Sequence, residues 1–122
     1  MTQKEKNLLL KDLCSRLPYG VKVEYNGEKY KIANVSICNE TITIYGEKGY
    51  PMEVQMKDCK PCLFPMSSMT KKQNFEYLRT CMGGNAGVPT LASFEWCDKN
   101  HFDYRGLIPM GLAEDSTGLN IY

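Results

Sequence analysis

Near the start of the chain apolar residues recur at spacings of three and four. Leu9, Leu10, Leu13, Cys14 and Leu17 make one stripe, while Lys4, Lys11, Asp12 and Arg16 fall on the side that faces water. Thr2-Gln3-Lys4-Glu5 fits a capping box, whose hydroxyl and carboxylate satisfy backbone donors that a helix start leaves unpaired. The pattern predicts a helix that begins near Gln3 and stops at Pro18-Tyr19-Gly20.

From Val21 the period becomes two. Asn26-Gly27 is a hairpin turn signal, and with it as the turn Tyr25 faces Glu28, Glu24 faces Lys29, Val23 faces Tyr30, Lys22 faces Lys31 and Val21 faces Ile32. Val21, Val23, Tyr30 and Ile32 then form a core side, with Tyr25 at its tip; Lys22, Glu24, Lys29 and Lys31 form a solvent side. Val35 and Ile37 fall out of step with Tyr30 and Ile32, which predicts a bulge near Ala33-Asn34. A turn at Asn39-Glu40 sets Ile37 against Ile42 and Val35 against Ile44. Gly46-Glu47-Lys48-Gly49 turns the chain again, Met52, Val54 and Met56 supply the next apolar side, and Pro51 belongs at the start of a strand or on an edge.

The proline-punctuated segment from Lys60 to Met69 reads as an extended connection over the strands. Thr70-Lys71-Lys72-Gln73 opens a helix expected to turn Phe75, Leu78, Cys81 and Met82 inward, and Gly83-Gly84-Asn85-Ala86-Gly87 stops it. A third helix runs from after Thr90 to about Asn100 with Leu91, Phe94 and Cys97 on one side; residues 107–112 add at most one further helical turn, and 114–122 read as irregular. The expected fold is α+β: an N-terminal helix, a small antiparallel barrel-like sheet of the Src-homology kind, then two or three C-terminal helices. All 122 residues form a single domain, with a β-rich part at 18–60 and a helical part at 67–112 packed on it.

Hydrophobic content of 43% suits one core, and the leucine run Leu8 to Leu10 falls far short of the roughly 20 residues of a membrane span. The polar start and the lack of a small-residue cleavage site do not read as a signal peptide, so the expectation is a cytoplasmic protein with its six cysteines reduced. Net charge is +1, divided as +4 over residues 1–72 and −3 over 73–122; this excludes the strong basic balance of a protein held by nucleic acid electrostatics.

Three constellations invite chemistry. Cys59-Lys60-Pro61-Cys62 has the CxxC spacing of a redox or metal site, but Pro61 and the extended run after it do not give the helix a redox site needs. Zinc would require Cys97 and His101 as the other two ligands, a long gap for a finger. His101 with Cys97 or Cys81 as nucleophile and Asp103 as orienter would make a thiol-hydrolase set; the plainer reading is a histidine capping a helix and an Asp103–Arg105 ion pair. The glycines at 83–87 lack the Lys-Ser/Thr of a phosphate loop. No catalytic residue, metal or cofactor is assigned.

Leu13 to Val21 (LCSRLPYGV), Pro65 to Thr70 (PMSSMT) and Asn100 to Ile108 (NHFDYRGLI) resemble uncharacterised short proteins of prophages and mobile elements in gut anaerobic bacteria. That resemblance implies a bacterial or phage cytoplasmic setting and carries no activity. Five of the eight tyrosines lie between Tyr19 and Tyr50, and Tyr45 is out of phase with Ile42 and Ile44. Tyr19, Lys22, Tyr25, Lys29, Lys31 and Tyr45 are therefore the candidate binding surface of a non-enzymatic module, with a protein partner favoured over weakly bound nucleic acid.

Overall fold

A computed structural model describes residues 1–46, 49–83 and 87–122. Helix α1, Gln3–Arg16, opens on Thr2, whose hydroxyl accepts from the Glu5 amide while the Glu5 carboxylate accepts from Thr2, so the expected capping box is formed. Leu9 and Leu13 bury fully against the sheet, each worth roughly 1.5–3 kcal/mol. The buried side of α1 is not the expected stripe. Asp12 and Arg16, assigned to water, are wholly buried, and Cys14, assigned to the core, is exposed. Leu17–Tyr19 adds a short 3-10 turn.

Strands β1, Lys22–Tyr25, and β2, Glu28–Ser36, pair in the predicted register through Asn26 and Gly27, both at positive φ as a type I′ turn requires. The bulge is present: Ile32 faces Ile44 of β3, Thr41–Tyr45, while Asn34 faces Thr43. The next turn is longer than Asn39-Glu40. Val35 faces Ile42, residues 37–40 lie between the strands, and Ile37 is exposed rather than paired with Ile42. Strand β4, Pro51–Gln55, pairs with β3 as the sheet's edge, where the missing amide of Pro51 is tolerated; Val54 and Met56 are buried but Met52 is exposed. Glu47 and Lys48 of the expected turn lie outside the described residues.

The 60–69 segment is not a connection running over the sheet. Lys60–Pro65 is strand β5 inside it, antiparallel to β1 and parallel to two short strands, β6, Phe102–Asp103, and β7, Glu114–Asp115. The order is β4-β3-β2-β1-β5-β6 with β7 also on β5, a mixed sheet that does not close into a barrel. The parallel partners from residues 102–115 extend the sheet where barrel closure would bring its edges together. The core lies between the α1 side of the sheet and residues 107–113: Leu9, Leu13, Val21, Val23, Ile42, Ile44, Leu63, Leu107 and Leu112. Residues 107–111 form turns rather than a further helix.

Helices α2, Lys71–Thr80, and α3, Leu91–Asn100, start on capping boxes at Thr70 and Thr90. Each keeps part of the expected inner side, half-buried Leu78 and Cys81 at α2 and buried Cys97 in α3, and departs from it elsewhere. In α2 Phe75 is exposed and no residue is buried; in α3 Ser93, Cys97 and Asp98 are buried while Leu91 and Phe94 are exposed. Of the glycine-rich stop, residues 84–86 lie outside the described residues.

Candidate interaction surface

Of the six surface residues expected from sequence, four share one face of the sheet. Lys31 lies between Lys22 on β1 and Tyr45 on β3, and Lys29 is opposite Glu24. Tyr25 points to the other side, half-buried against Tyr30 with ring centroids 6.4 Å apart. Tyr19 is elsewhere, its hydroxyl 3.2 Å from the Glu95 carboxylate of α3. The Lys22 ammonium is already engaged: it donates to the Ile121 carbonyl and sits 5.8 Å over the Tyr122 ring.

Cys59, Cys62 and Cys97 are buried, and no group of three or more His, Cys, Asp or Glu side chains among the described residues is placed to hold a metal. Burial pushes the Cys59 and Cys97 thiols up to about 12 and raises Cys62 as well, the opposite of what activates a nucleophile. Asp103 does not orient His101, nor does it pair with Arg105. Its two carboxylate oxygens accept from the Leu107 and Ile108 amides, both at 2.9 Å, holding the turn after β6.

Arg105 belongs to a buried ionic node that sequence reasoning missed. Arg16 Nε donates to Asp12 Oδ2 at 2.9 Å, and its other nitrogens donate to the Phe102 carbonyl at 2.7 Å and the Cys97 carbonyl at 3.4 Å. Arg105 Nη1 reaches Asp12 Oδ1 at 2.8 Å and Ser15 Oγ at 3.1 Å, and Asp98 lies 3.9 Å from both guanidinium groups. Two arginines thus balance two aspartates, with Tyr104 under both cations at 5.4 and 4.6 Å. Burial pushes the Asp12 carboxyl up against the pull of Arg16 and Arg105. The only signal in the sequence was an aspartate and an arginine four apart on a helix, which ordinarily reads as a solvated pair.

His101 ends α3 at φ 64° and is 6% exposed, stacked on Tyr122 at 3.5 Å, and its Nδ1 meets no hydrogen-bond partner among the described residues. Burial, then the nearby Arg16 and Lys22 cations, pull its pKa down to about 4. An unfolded imidazole titrates near 6.5, so between there and about 4 the unfolded chain binds a proton that the folded chain does not. Stability is therefore expected to fall as pH drops through that window, by about 3 kcal/mol. Urea unfolding at neutral and acid pH checks this. His101→Asn, which tolerates the left-handed backbone and does not titrate, should flatten the slope; the raised Asp12 carboxyl acts in the opposite direction and persists in both proteins. An unchanged slope in the variant would assign the acid sensitivity elsewhere.

The remaining surface of interest is α2 itself. Its inward side is polar and aromatic: Gln73, Glu76, Tyr77 and Thr80 are partly buried, Tyr77 packs on Trp96 of α3 at 5.7 Å, and Thr90 Oγ1 donates to the Thr80 carbonyl at 2.7 Å. Phe75 and Leu78 lie on the opposite side, at i and i+3; Phe75 is turned outward and Leu78 is half-buried. Phe75 is 63% exposed. Beyond the helix, Met82 and Val88 pair through two backbone hydrogen bonds, at 2.9 and 3.0 Å, and both are exposed. Gly87 joins the two parts: a Cβ built on it lies 3.2 Å from Leu78, and its φ of 64° favours glycine. Lys71, Lys72 and Arg79, all exposed, surround the stripe, with Arg79 5.9 Å over the Phe75 ring. Glu76, the helix's one carboxylate, instead lines a groove of about 380 Å³ between α2 and α3 with Arg79, Thr80 and Trp96.

Compared with known proteins, the chain matches no family model, no curated protein and no solved structure.

Proposed function

We propose that this protein is a non-enzymatic interaction module that binds another protein through the outward face of α2. The observation that carries this is Phe75, a large apolar side chain 63% exposed at the centre of a helix whose opposite side makes the intramolecular contacts. A helix in a folded domain ordinarily turns its apolar stripe to the core, and a contiguous apolar surface rimmed by polar groups marks an interaction site. Exposed Phe75 on the helix, the exposed Met82–Val88 pair just beyond it and half-buried Leu78 against Gly87 supply that surface here. The prophage or mobile-element setting rests on the sequence resemblance alone.

Nucleic acid is the second reading, supported by the row of Lys22, Lys31 and Tyr45 on the sheet. It is the weaker one, because Lys22 is held by the Ile121 carbonyl and Lys29 faces Glu24.

Selection from a displayed peptide library on the immobilised protein tests the proposal. Selected peptides are expected to lose at least about tenfold in affinity for Phe75→Asp and to bind a Lys31→Glu/Tyr45→Ala variant unchanged. Peptides that bind Phe75→Asp as well as the parent, or that are lost with the sheet variant, would move the interface off α2.

A further inference from the structure

We infer that the partner segment is an acidic amphipathic helix, an inference that rests on the α2 interface proposed above. The apolar stripe has a cationic rim: Lys71, Lys72 and Arg79 are exposed around Phe75, and the helix's single carboxylate, Glu76, is turned toward α3. A basic partner brought to this face would meet three like charges; an acidic one places its carboxylates against them as its apolar side chains cover Phe75. Arg79 is already ordered over the Phe75 ring at 5.9 Å, so a carboxylate can pair with the guanidinium while the cation–π contact persists.

Shape selects a helix. Phe75 and Leu78 lie about 4.5 Å apart along α2 at 1.5 Å per residue, one turn of a helix lying alongside, and the Met82–Val88 pair follows beyond the helix end at Thr80. The Phe75–Leu78 part of the stripe is the face of a convex helix, which offers no free row of backbone amides and carbonyls for an added strand. Side chains spaced i, i+3 or i+4, and i+7 on a partner helix match this ridge. Carboxylates flanking those positions reach Lys71 and Lys72 at one end and Arg79 near the middle. The groove beside Arg79, lined also by Glu76, Thr80 and Trp96, is open to one anchoring side chain.

Fluorescence anisotropy with two labelled peptides tests this. One is a helix-forming peptide of about 16 residues with leucine at the spacings above and glutamate at the flanking positions; the other has every glutamate replaced by lysine. The acidic peptide is expected to bind at least about tenfold more tightly, with an affinity that falls as salt rises. The triple variant Lys71→Glu/Lys72→Glu/Arg79→Glu is expected to reverse the preference. Equal binding of both peptides, lost in each case with Phe75→Asp, would overturn the acidic partner and leave the α2 interface standing. Binding of neither peptide, or binding that Phe75→Asp does not weaken, would overturn the α2 reading together with the inference. Sedimentation of the unliganded protein should give monomer; a dimer that Phe75→Asp dissociates would make a second copy of the chain the occupant instead. A labelled DNA duplex bound more tightly than the acidic peptide and released by the triple variant would replace the acidic helix with a polyanion.

Discussion

Replacing Arg16 with alanine is expected to lower the unfolding free energy by about 3–5 kcal/mol, the largest loss for any single charged residue of this protein. Arg16 is fully buried and its guanidinium holds three partners at once, the Asp12 carboxylate and the carbonyls of Cys97 and Phe102. Removing it strands two carbonyls in the interior and leaves Asp12 with Arg105 as its only bonded cation. Lysine should not rescue, because one ammonium group cannot reproduce a planar fork that spans α1, the end of α3 and β6. Arg105→Ala is expected to cost less, since its side chain is 17% exposed and water can replace part of what it gives Asp12. Urea unfolding of the three variants checks the order, and a loss below about 1 kcal/mol for Arg16→Ala would mean that the node contributes little to holding α1 on residues 97–105.

Tyr122→Phe is expected to cost about 0.5–1.5 kcal/mol by removing a single oxygen. Val23 faces Pro61 in the β1–β5 ladder, so Lys22 falls opposite Cys62 at the next step. There the strands do not bond directly: the Lys22 amide donates to the Tyr122 hydroxyl at 2.9 Å, and that hydroxyl donates to the Cys62 carbonyl at 2.7 Å. The phenol is a rung of the ladder, and burial raises its pKa, which keeps the proton it must donate. Phenylalanine preserves the ring against His101 and Phe64 but removes the hydroxyl that links the Lys22 amide to the Cys62 carbonyl. Faster hydrogen exchange at the Lys22 amide in the variant is the local readout, and exchange as slow as in the parent would contradict the bridging role.

How much of this could be read from the chain depended on how local the cause was. The β1–β2 register was legible because Asn26-Gly27 fixes the turn and the alternation fixes the faces, and the starts of α1 and α2 were legible from their capping boxes. Strand β5 was hidden by Pro61 and Pro65, which read as breakers, and by partners that arrive about 40 and 50 residues later, a separation that local pattern cannot register. The ionic node was hidden for the same reason: Asp12 and Arg16 look solvated until Arg105 and the 97–102 carbonyls are brought to them. The candidate surface was misread by a sound rule. Phe75, Leu78 and Met82 recur like a core stripe, and only the packing of Tyr77 on Trp96 shows that the helix is turned the other way.

That orientation is the central claim, and the unfolding free energy of Phe75→Asp measures it without any partner. If the Phe75 ring faces water, the substitution changes stability by no more than about 0.5 kcal/mol, helped by Lys71 and Arg79 one turn away on either side of the new carboxylate. If α2 instead buries its apolar stripe as the sequence pattern suggests, the same substitution costs about 3 kcal/mol or more, and the interface proposed here does not exist.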